Sequence, residues 1–251
     1  MTDRYDRQVA LPEIGPAGQA RLRETRALVV GAGALGSNAA ELLVRAGVGG
    51  IKIVDFDLLE LSNLQRQALV TEADVGRLKA EVLAARLGEI NSEVRVEYEI
   101  ARIDRENAEG LLAGADIVFD GLDNYPARYL VNDACVKHGI PWVFTAVAGT
   151  YGEVMPIIPG KGACLRCLIP DPPPESAVLT AGTSGLLNSV PRAAAALAVT
   201  IGIKTILGQV ELPTRLVTLD LWDNGFGTQA ISRNPGCPCC GAGEYEFLER
   251  S

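Results

Sequence analysis

Six residues in the first half of the chain carry groups that could handle a charged ligand: Asp55, Asn63, Gln65, Arg66, Lys79 and Asp123. Asp55 closes IKIVD (51–55), an apolar run that reads as a strand, and Asn63, Gln65 and Arg66 follow in SNLQRQ (62–67), just past its carboxyl end. Lys79 stands near the start of a helical pattern, and Asp123 comes just after DIVFDG (116–121), another strand. Ligands of open α/β sheets bind outside the carboxyl ends of the strands, so these residues can converge on one pocket. Two cations, polar amides and a spare carboxylate suit a triphosphate with Mg²⁺ better than a dinucleotide. Arg and Lys neutralise phosphate oxygens, and the carboxylate can hold the metal. A solvated polar loop would explain any one of these residues but not their common edge.

A glycine turn stands beside them. GAGALG (31–36) follows the apolar run ALVV and opens a helical pattern, with Asp55 roughly 20 residues on, as in a nucleotide-binding fingerprint. Gly31, Gly33 and Gly36 permit a tight turn and close approach of backbone to phosphate, while the helix beginning at Ala34 offers N–H groups and the positive end of its dipole. Asp55 is then placed to hold a ribose. The default ligand of such a turn is NAD, but the single histidine, His138, precedes the strand at 141–147 and so lies at the wrong end of the sheet for hydride chemistry. A structural role at a helix end is expected for it.

The elements that must position these groups alternate. Strands are expected at 27–31, 51–55, 94–100, 116–121 and 141–147, with helices over 16–25, 34–46, 77–91, near 105–113 and over 129–139. That rhythm predicts an α/β fold with a mostly parallel, Rossmann-like sheet covered on both faces. YGEVMPIIP (151–159) and RLVTLDLWD (215–223) break it and are expected to add antiparallel strands. The Pro-rich IPDPPPESAVLTAG (169–182) cannot be regular helix or central strand and reads as a lid or crossover loop. With 251 residues, 48% hydrophobic and 22% charged, one domain with a sizeable core is expected. Its nucleotide-binding half would run over about 1–150 and the remainder over 151–251. The net charge of −8 argues against a surface built for nucleic acid or anionic lipid. The start, MTDRYDRQ, has no apolar secretory core, and the apolar run 193–208 is interrupted by Lys204 and reads as a buried helix rather than a membrane span. A cytoplasmic location is expected.

In that setting six cysteines are expected to be reduced or metal-bound. Cys164 and Cys167 form CLRC; Cys237 and Cys240 bracket CPCC, with Cys239 between them. Two C-x-x-C pairs form a strong Cys₄ zinc signature, a zinc knuckle tying the C-terminal tail to the segment before the crossover loop. The rival is redox or persulfide chemistry, for which Cys239 is the better candidate. Cys135, inside a helical pattern, reads as a core residue.

RYDRQ (4–8), GAGALG, DFD, SNLQRQ, VGRLKAE (75–81) and LDN with a downstream arginine (122–128) together resemble, in order and over nearly the whole chain, the ThiF/MoeB/HesA family of ATP-dependent adenylating enzymes, bacterial relatives of ubiquitin-activating enzyme. The resemblance implies that Ser62, Asn63, Leu64, Gln65 and Arg66 form the ATP-contacting motif. It further implies that Lys79 binds phosphate, that Asp55 binds ribose, that Asp123, next to Asn124, binds Mg²⁺, and that both cysteine pairs hold a structural Zn²⁺. Arg7, in RYDRQ, would reach into the partner subunit's site, which implies a homodimer with Arg7, Arg66, Lys79 and Asp123 as its catalytic set. The implied reaction is adenylation of the C-terminal carboxylate of a small ubiquitin-like sulfur-carrier protein, releasing pyrophosphate. Alternatives are another carboxylate, on a small molecule or a tRNA, and a non-catalytic nucleotide-binding scaffold. Many relatives carry a cysteine on the crossover loop; AVLTAGTSG (177–185) places Ala181 there, so a separate sulfur donor is expected.

Overall fold

The computed structural model describes residues 4–179 and 181–249. Eight strands form one sheet: β1 (Arg26–Val30), β2 (Gly50–Val54), β3 (Arg95–Glu99), β4 (Ile117–Asp120), β5 (Trp142–Ala148), β6 (Tyr151–Ile157), β7 (Arg215–Asp220) and β8 (Gly225–Ala230). Their order is β3-β2-β1-β4-β5-β6-β7-β8. The first five run parallel and the last three are antiparallel. The expected strands are all present. β8 is the addition: GFGTQA has two glycines, one large apolar residue and a mostly exposed burial pattern, so it carries no period-two signal.

Among the described residues ten helices accompany the sheet: α1 (Asp6–Val9), α2 (Gly15–Glu24), α3 (Ala34–Ala46), α4 (Lys79–Ile90), α5 (Ala108–Leu112), α6 (Tyr125–His138), α7 (Leu165–Leu168), α8 (Ala181–Ser184), α9 (Ser189–Ile206) and α10 (Glu246–Glu249). Parallel strands buried on both faces need two cores. On one face α3, α4 and α9 pack Leu35, Leu43, Leu83, Leu87, Ala194 and Ala198 onto Val29, Ile53 and Phe119. On the other, α5, α6 and α7 pack Leu112, Tyr129, Val131 and Leu165 onto Leu28, Val118, Trp142 and Phe144. The apolar run around 193–208 is thus α9, a helix long and apolar enough by composition to cross a membrane, but laid with one face on the core. Gly202 lets it lie close, since a Cβ there would sit 2.3 Å from the Phe119 ring.

Two boundaries differ from expectation. α6 begins at Tyr125 rather than 129, because the Asn124 carboxamide oxygen accepts the Ala127 N–H and Pro126 opens the first turn. α4 begins at Lys79 because residues 76–79 are instead paired with 57–59: Leu59 N–H donates to the Arg77 carbonyl, Gly76 N–H to the Leu59 carbonyl, and Lys79 N–H to the Asp57 carbonyl. The Pro-rich stretch is irregular apart from one 3₁₀ turn, Glu175–Ala177, and the start of α8. Its far end is fixed, with Gly149 N–H donating to the Gly185 carbonyl and Leu187 N–H to the Gly149 carbonyl.

Candidate functional site

The sheet's strand order reverses at β1, so a crevice opens between the carboxyl ends of β1 and β4. The glycine turn fills its floor. Gly31 lies at φ +96°, and a Cβ there would stand 2.4 Å from the Gly121 carbonyl oxygen. A Cβ on Gly36 would stand 1.7 Å from the Gly31 carbonyl oxygen. These two glycines are required by neighbouring backbone. Gly33 is not: it has an ordinary φ of −76°, and the nearest atom to its Cβ position is 3.9 Å away. It precedes the 13-residue α3, whose N-terminus has no side-chain cap. An open glycine at an uncapped helix N-terminus fits a phosphate that takes the free N–H groups at close range. Gly121, the last residue of DIVFDG, closes the other wall, with its N–H on the Val30 carbonyl.

Asp55 ends β2 against this turn. One carboxylate oxygen accepts the Ala32 N–H at 2.6 Å, the other the Asp57 N–H at 2.7 Å. Burial raises its pKa, opposed by those two N–H groups and by Lys79. Lone pairs remain on both oxygens for a ligand hydroxyl. Lys79, the first residue of α4, directs its ammonium onto Asp57, Nζ to Oδ2 at 2.8 Å.

The polar loop between β2 and α4 is held by residues that sequence reasoning passed over. Ser37 Oγ accepts the Ala68 N–H, and Asn38 Nδ2 donates to the Arg66 carbonyl, lashing SNLQRQ to the first turns of α3. Both sit inside the helix pattern beside the glycine turn and are buried there, and nothing local in the sequence marks them. Within the loop, Asn63 is buried and its Oδ1 accepts the Glu60 N–H, while the Ser62 hydroxyl is 3.2 Å from a Glu60 carboxylate oxygen. Arg66 is half-buried and donates to the Ser62 carbonyl at 2.8 Å; Leu64 is half-buried and Gln65 exposed, its amide 3.4 Å from the Leu186 carbonyl at the end of the crossover segment.

Asp120, the last residue of β4, is buried, its carboxyl pushed up by burial and drawn back by Arg128. Arg128 Nε lies 2.9 Å from Asp120, and its Nη2 donates to the Leu122 and Thr145 carbonyls. The downstream arginine of the LDN motif therefore braces the loop from beneath. That loop presents Asp123 to solvent, its Oδ1 3.2 Å from the Asn124 amide, free to hold a cation.

Of the residues expected at the nucleotide site, Arg7 lies elsewhere. α1 packs at the opposite end of α3: Gln8 donates to the Ala46 carbonyl, and the Tyr5 ring fills the space over Gly47. Thirteen helical residues separate that end from the phosphate turn, about 20 Å at 1.5 Å per residue. His138 also stands apart, at the C-terminal end of α6 with Nε2 2.6 Å from Glu109, in the structural role expected.

Cys164, Cys167, Cys237 and Cys240 come together behind β5 and β6, all four Sγ atoms within 4.8 Å of one another. Cys164 and Cys237 are 3.6 Å apart, and Cys167 and Cys240 3.4 Å. Four thiolates at about 2.3 Å around one Zn²⁺ would show spacings near these. The Asn234 N–H donates to Cys167 Sγ at 3.4 Å, and hydrogen bonds from Cys164 and Cys240, with that N–H, hold the Cys167 thiol low. The donor set fits zinc. Cys239 is wholly buried and receives the Asn132 amide at 3.3 Å, and Cys135 is buried in the core, so neither is presented to a substrate.

A doubly covered parallel sheet with a phosphate turn at its switch point, extended by antiparallel strands and backed by a four-cysteine cluster, is the architecture of ubiquitin-activating-enzyme-like adenylating proteins. The chain belongs to the ThiF family, which matches residues 5–239. It is 41% identical over 248 residues to the SAMP-activating enzyme E1 of Haloferax volcanii, covering 98% of this chain and 92% of that protein. It is 42% identical over 252 residues to the sulfur carrier protein ThiS adenylyltransferase of Bacillus subtilis, covering 99% and 74%. To the sulfur carrier protein adenylyltransferase of Thermus thermophilus it is 43% identical over 245 residues, covering 95% and 90%. This chain is an enzyme of the adenylyltransferase type. Its fold is shared with E. coli MccB, solved with ATP, at a TM-score of 0.82 and 25% identity, over 96% of this chain and 75% of that one.

Proposed function

We propose that this enzyme uses ATP·Mg²⁺ to adenylate the C-terminal carboxylate of a small ubiquitin-like sulfur-carrier protein. The observation that carries the reading is the crevice at the sheet's switch point, where an open Gly33 at an uncapped helix end faces the edge bearing Asp55, Lys79 and Asp123. The names of the Haloferax, Bacillus and Thermus relatives supply the class of acceptor.

In this reading Gly31, Gly33, Ala34 and Gly36 cradle the phosphates, Asp55 holds the ribose, and Ser62, Asn63, Leu64 and Gln65 line the nucleotide. Arg66 and Lys79 neutralise phosphate oxygens, Asp123 holds Mg²⁺, its neighbour Asn124 contacts the nucleotide, and Arg7 comes from the partner of a homodimer. Mg²⁺, when bound, draws charge from the phosphates. A C-terminal carboxylate, with a pKa near ~3.5, is ionised at neutral pH and needs no general base. Its oxygen attacks the α-phosphorus, the bond to the bridging oxygen breaks, and pyrophosphate leaves with the electron pair. The protein's work is alignment and charge neutralisation. Residues about 1–150 would bind nucleotide, and 151–251 would receive the carrier under the Pro-rich segment and hold a structural zinc. Sulfur would come from a separate donor, in the cytoplasm.

Pyrophosphate exchange into ATP, measured with and without ThiS-like carriers, tests the reading. Exchange that depends on a carrier ending in a free carboxylate is expected; exchange driven only by small carboxylic acids would move the substrate class, and none with any acceptor would leave a nucleotide-binding scaffold. Retention of Arg66, Lys79 and Asp123 favours the enzyme.

A further inference from the structure

Asp57 has no part in the roles set out so far, yet it joins three of the groups that carry them. Its N–H donates to Asp55 Oδ1 at 2.7 Å, while Asp55 Oδ2 accepts from Ala32 in the phosphate turn. Its carbonyl accepts the Lys79 N–H at 2.9 Å, and its carboxylate meets Lys79 Nζ at 2.8 Å. One hydrogen-bonded path therefore runs from the glycine turn through Asp55 and Asp57 to Lys79. The paired segments 57–59 and 76–79 make that path rigid, since they pinch the polar loop off at its base.

Lys79 needs such a holder. A lysine at the first position of a helix opposes the helix dipole, which favours anions there. Its side chain is 11% exposed, so the ammonium is withdrawn from most of its water and requires a partner. The stem is flexible, and a free ammonium has to be ordered each time it is used. Asp57, 46% exposed, meets one of the three ammonium donors and leaves two for phosphate oxygens.

We propose that Asp57 is a positioning residue of the nucleotide site, fixing the Lys79 ammonium before ATP arrives and remaining bonded to it afterwards. This rests on the reading of Lys79 as a phosphate ligand. Two opposite effects follow from removing the carboxylate. The local field becomes more positive, which favours a polyanion; but the Asp57 carboxylate is itself 46% exposed, so water screens its charge at the distance of a bound phosphate. The lysine also loses its fixed geometry and must be ordered by the ligand, which is the larger effect.

The test is a four-protein cycle of wild type, Asp57→Ala, Lys79→Ala and the double variant, read by calorimetric titration with MgATP, with melting temperatures as a check on folding. Asp57→Ala is expected to weaken MgATP about tenfold in the wild-type background and less than twofold when Lys79 is already alanine, because Asp57 acts through that ammonium. Asp57→Asn, which keeps a neutral acceptor, is expected to recover most of the affinity. Asp57→Ser, too short to reach Nζ, repeats the cycle should the alanine variant fail to fold. Unchanged or tighter MgATP binding in Asp57→Ala, or an equal loss in both backgrounds, overturns the proposal. The titration needs no carrier, so an enzyme that binds MgATP but shows no carrier-dependent exchange loses the carrier reading while the cycle still decides the role of Asp57.

Discussion

Replacing Gly33 with alanine separates what the phosphate turn does for the fold from what it does for the ligand. The added Cβ meets nothing nearer than 3.9 Å, and a φ of −76° is open to any residue. The expected cost to stability is that of alanine at an N-cap, up to about 1 kcal/mol, or roughly 2–4 °C in melting temperature for a chain of this size. If a phosphate sits against Gly33, the same methyl displaces at least one charge-assisted hydrogen bond, about 1.5–3 kcal/mol. That corresponds to a loss in MgATP affinity of about 10- to 150-fold. Gly36→Ala is the contrasting variant: its Cβ would lie 1.7 Å from the Gly31 carbonyl oxygen, so the turn has to move and the fold is expected to fail or melt far earlier. Calorimetry and thermal melts on the two proteins read both effects. A Gly33→Ala enzyme that is well folded and binds MgATP like wild type would refute the placement of phosphate over Gly33.

Three further expectations follow from the geometry. Arg7→Ala and Arg66→Ala should each lose exchange activity, and mixing the two should restore part of it, because α3 sets Arg7 about 20 Å from its own phosphate turn; no rescue after verified subunit exchange would place Arg7 outside catalysis. Protein purified without added metal should hold about one zinc per chain, with chelation or Cys164→Ser lowering the melting temperature; an equally stable metal-free protein would remove the structural role. Burial pushes the Asp74 carboxyl up, but the Thr71 N–H and hydroxyl, Arg86 and Arg77 outweigh it and hold it below its ordinary 3.8. Asp74→Ala should therefore cost about 1–2 kcal/mol at pH 7, a difference that persists above pH 3.8 and shrinks as the pH falls through the lowered pKa and the native carboxylate protonates. A cost that stays constant down to pH 2 would contradict this.

The crossover segment gives a fourth. Ala181 is a half-buried residue opening α8, and Cys135 and Cys239 are buried, so enzyme incubated with carrier and ATP without reductant should show no added carrier mass. A stable covalent adduct would refute this, and mapping its cysteine would identify the thiol.

Much of the scaffold could be read in advance because its signals are local. Apolar strands buried on both faces, glycines at a turn and C-x-x-C pairs each announce themselves within a few residues. What escaped depends on contacts across the chain. Asn38 and Ser37 look like ordinary helix residues until SNLQRQ folds back on them, and the part played by the arginine after LDN shows only once Asp120 is seen buried beneath it. Asp57 was part of a quoted motif, but its link to Lys79 spans 22 positions and exists only once 57–59 and 76–79 have paired. β8 was missed for a different reason, since an exposed edge strand needs no apolar alternation.

The cysteine cluster also changes what a broken backbone would do. Cys164 and Cys237 are 73 positions apart in sequence, as are Cys167 and Cys240, and the crossover segment, α9, β7 and β8 lie between the two pairs. A protease cutting within 170–179 would leave its two products joined at one end by the packed cysteine cluster and at the other by the Gly149–Gly185 and Leu187–Gly149 bonds and the β6–β7 ladder. The nicked protein should migrate as two bands under denaturing conditions and as one particle in native solution. The same closure makes this segment a natural place to open the chain, since new ends there leave every strand of the sheet intact.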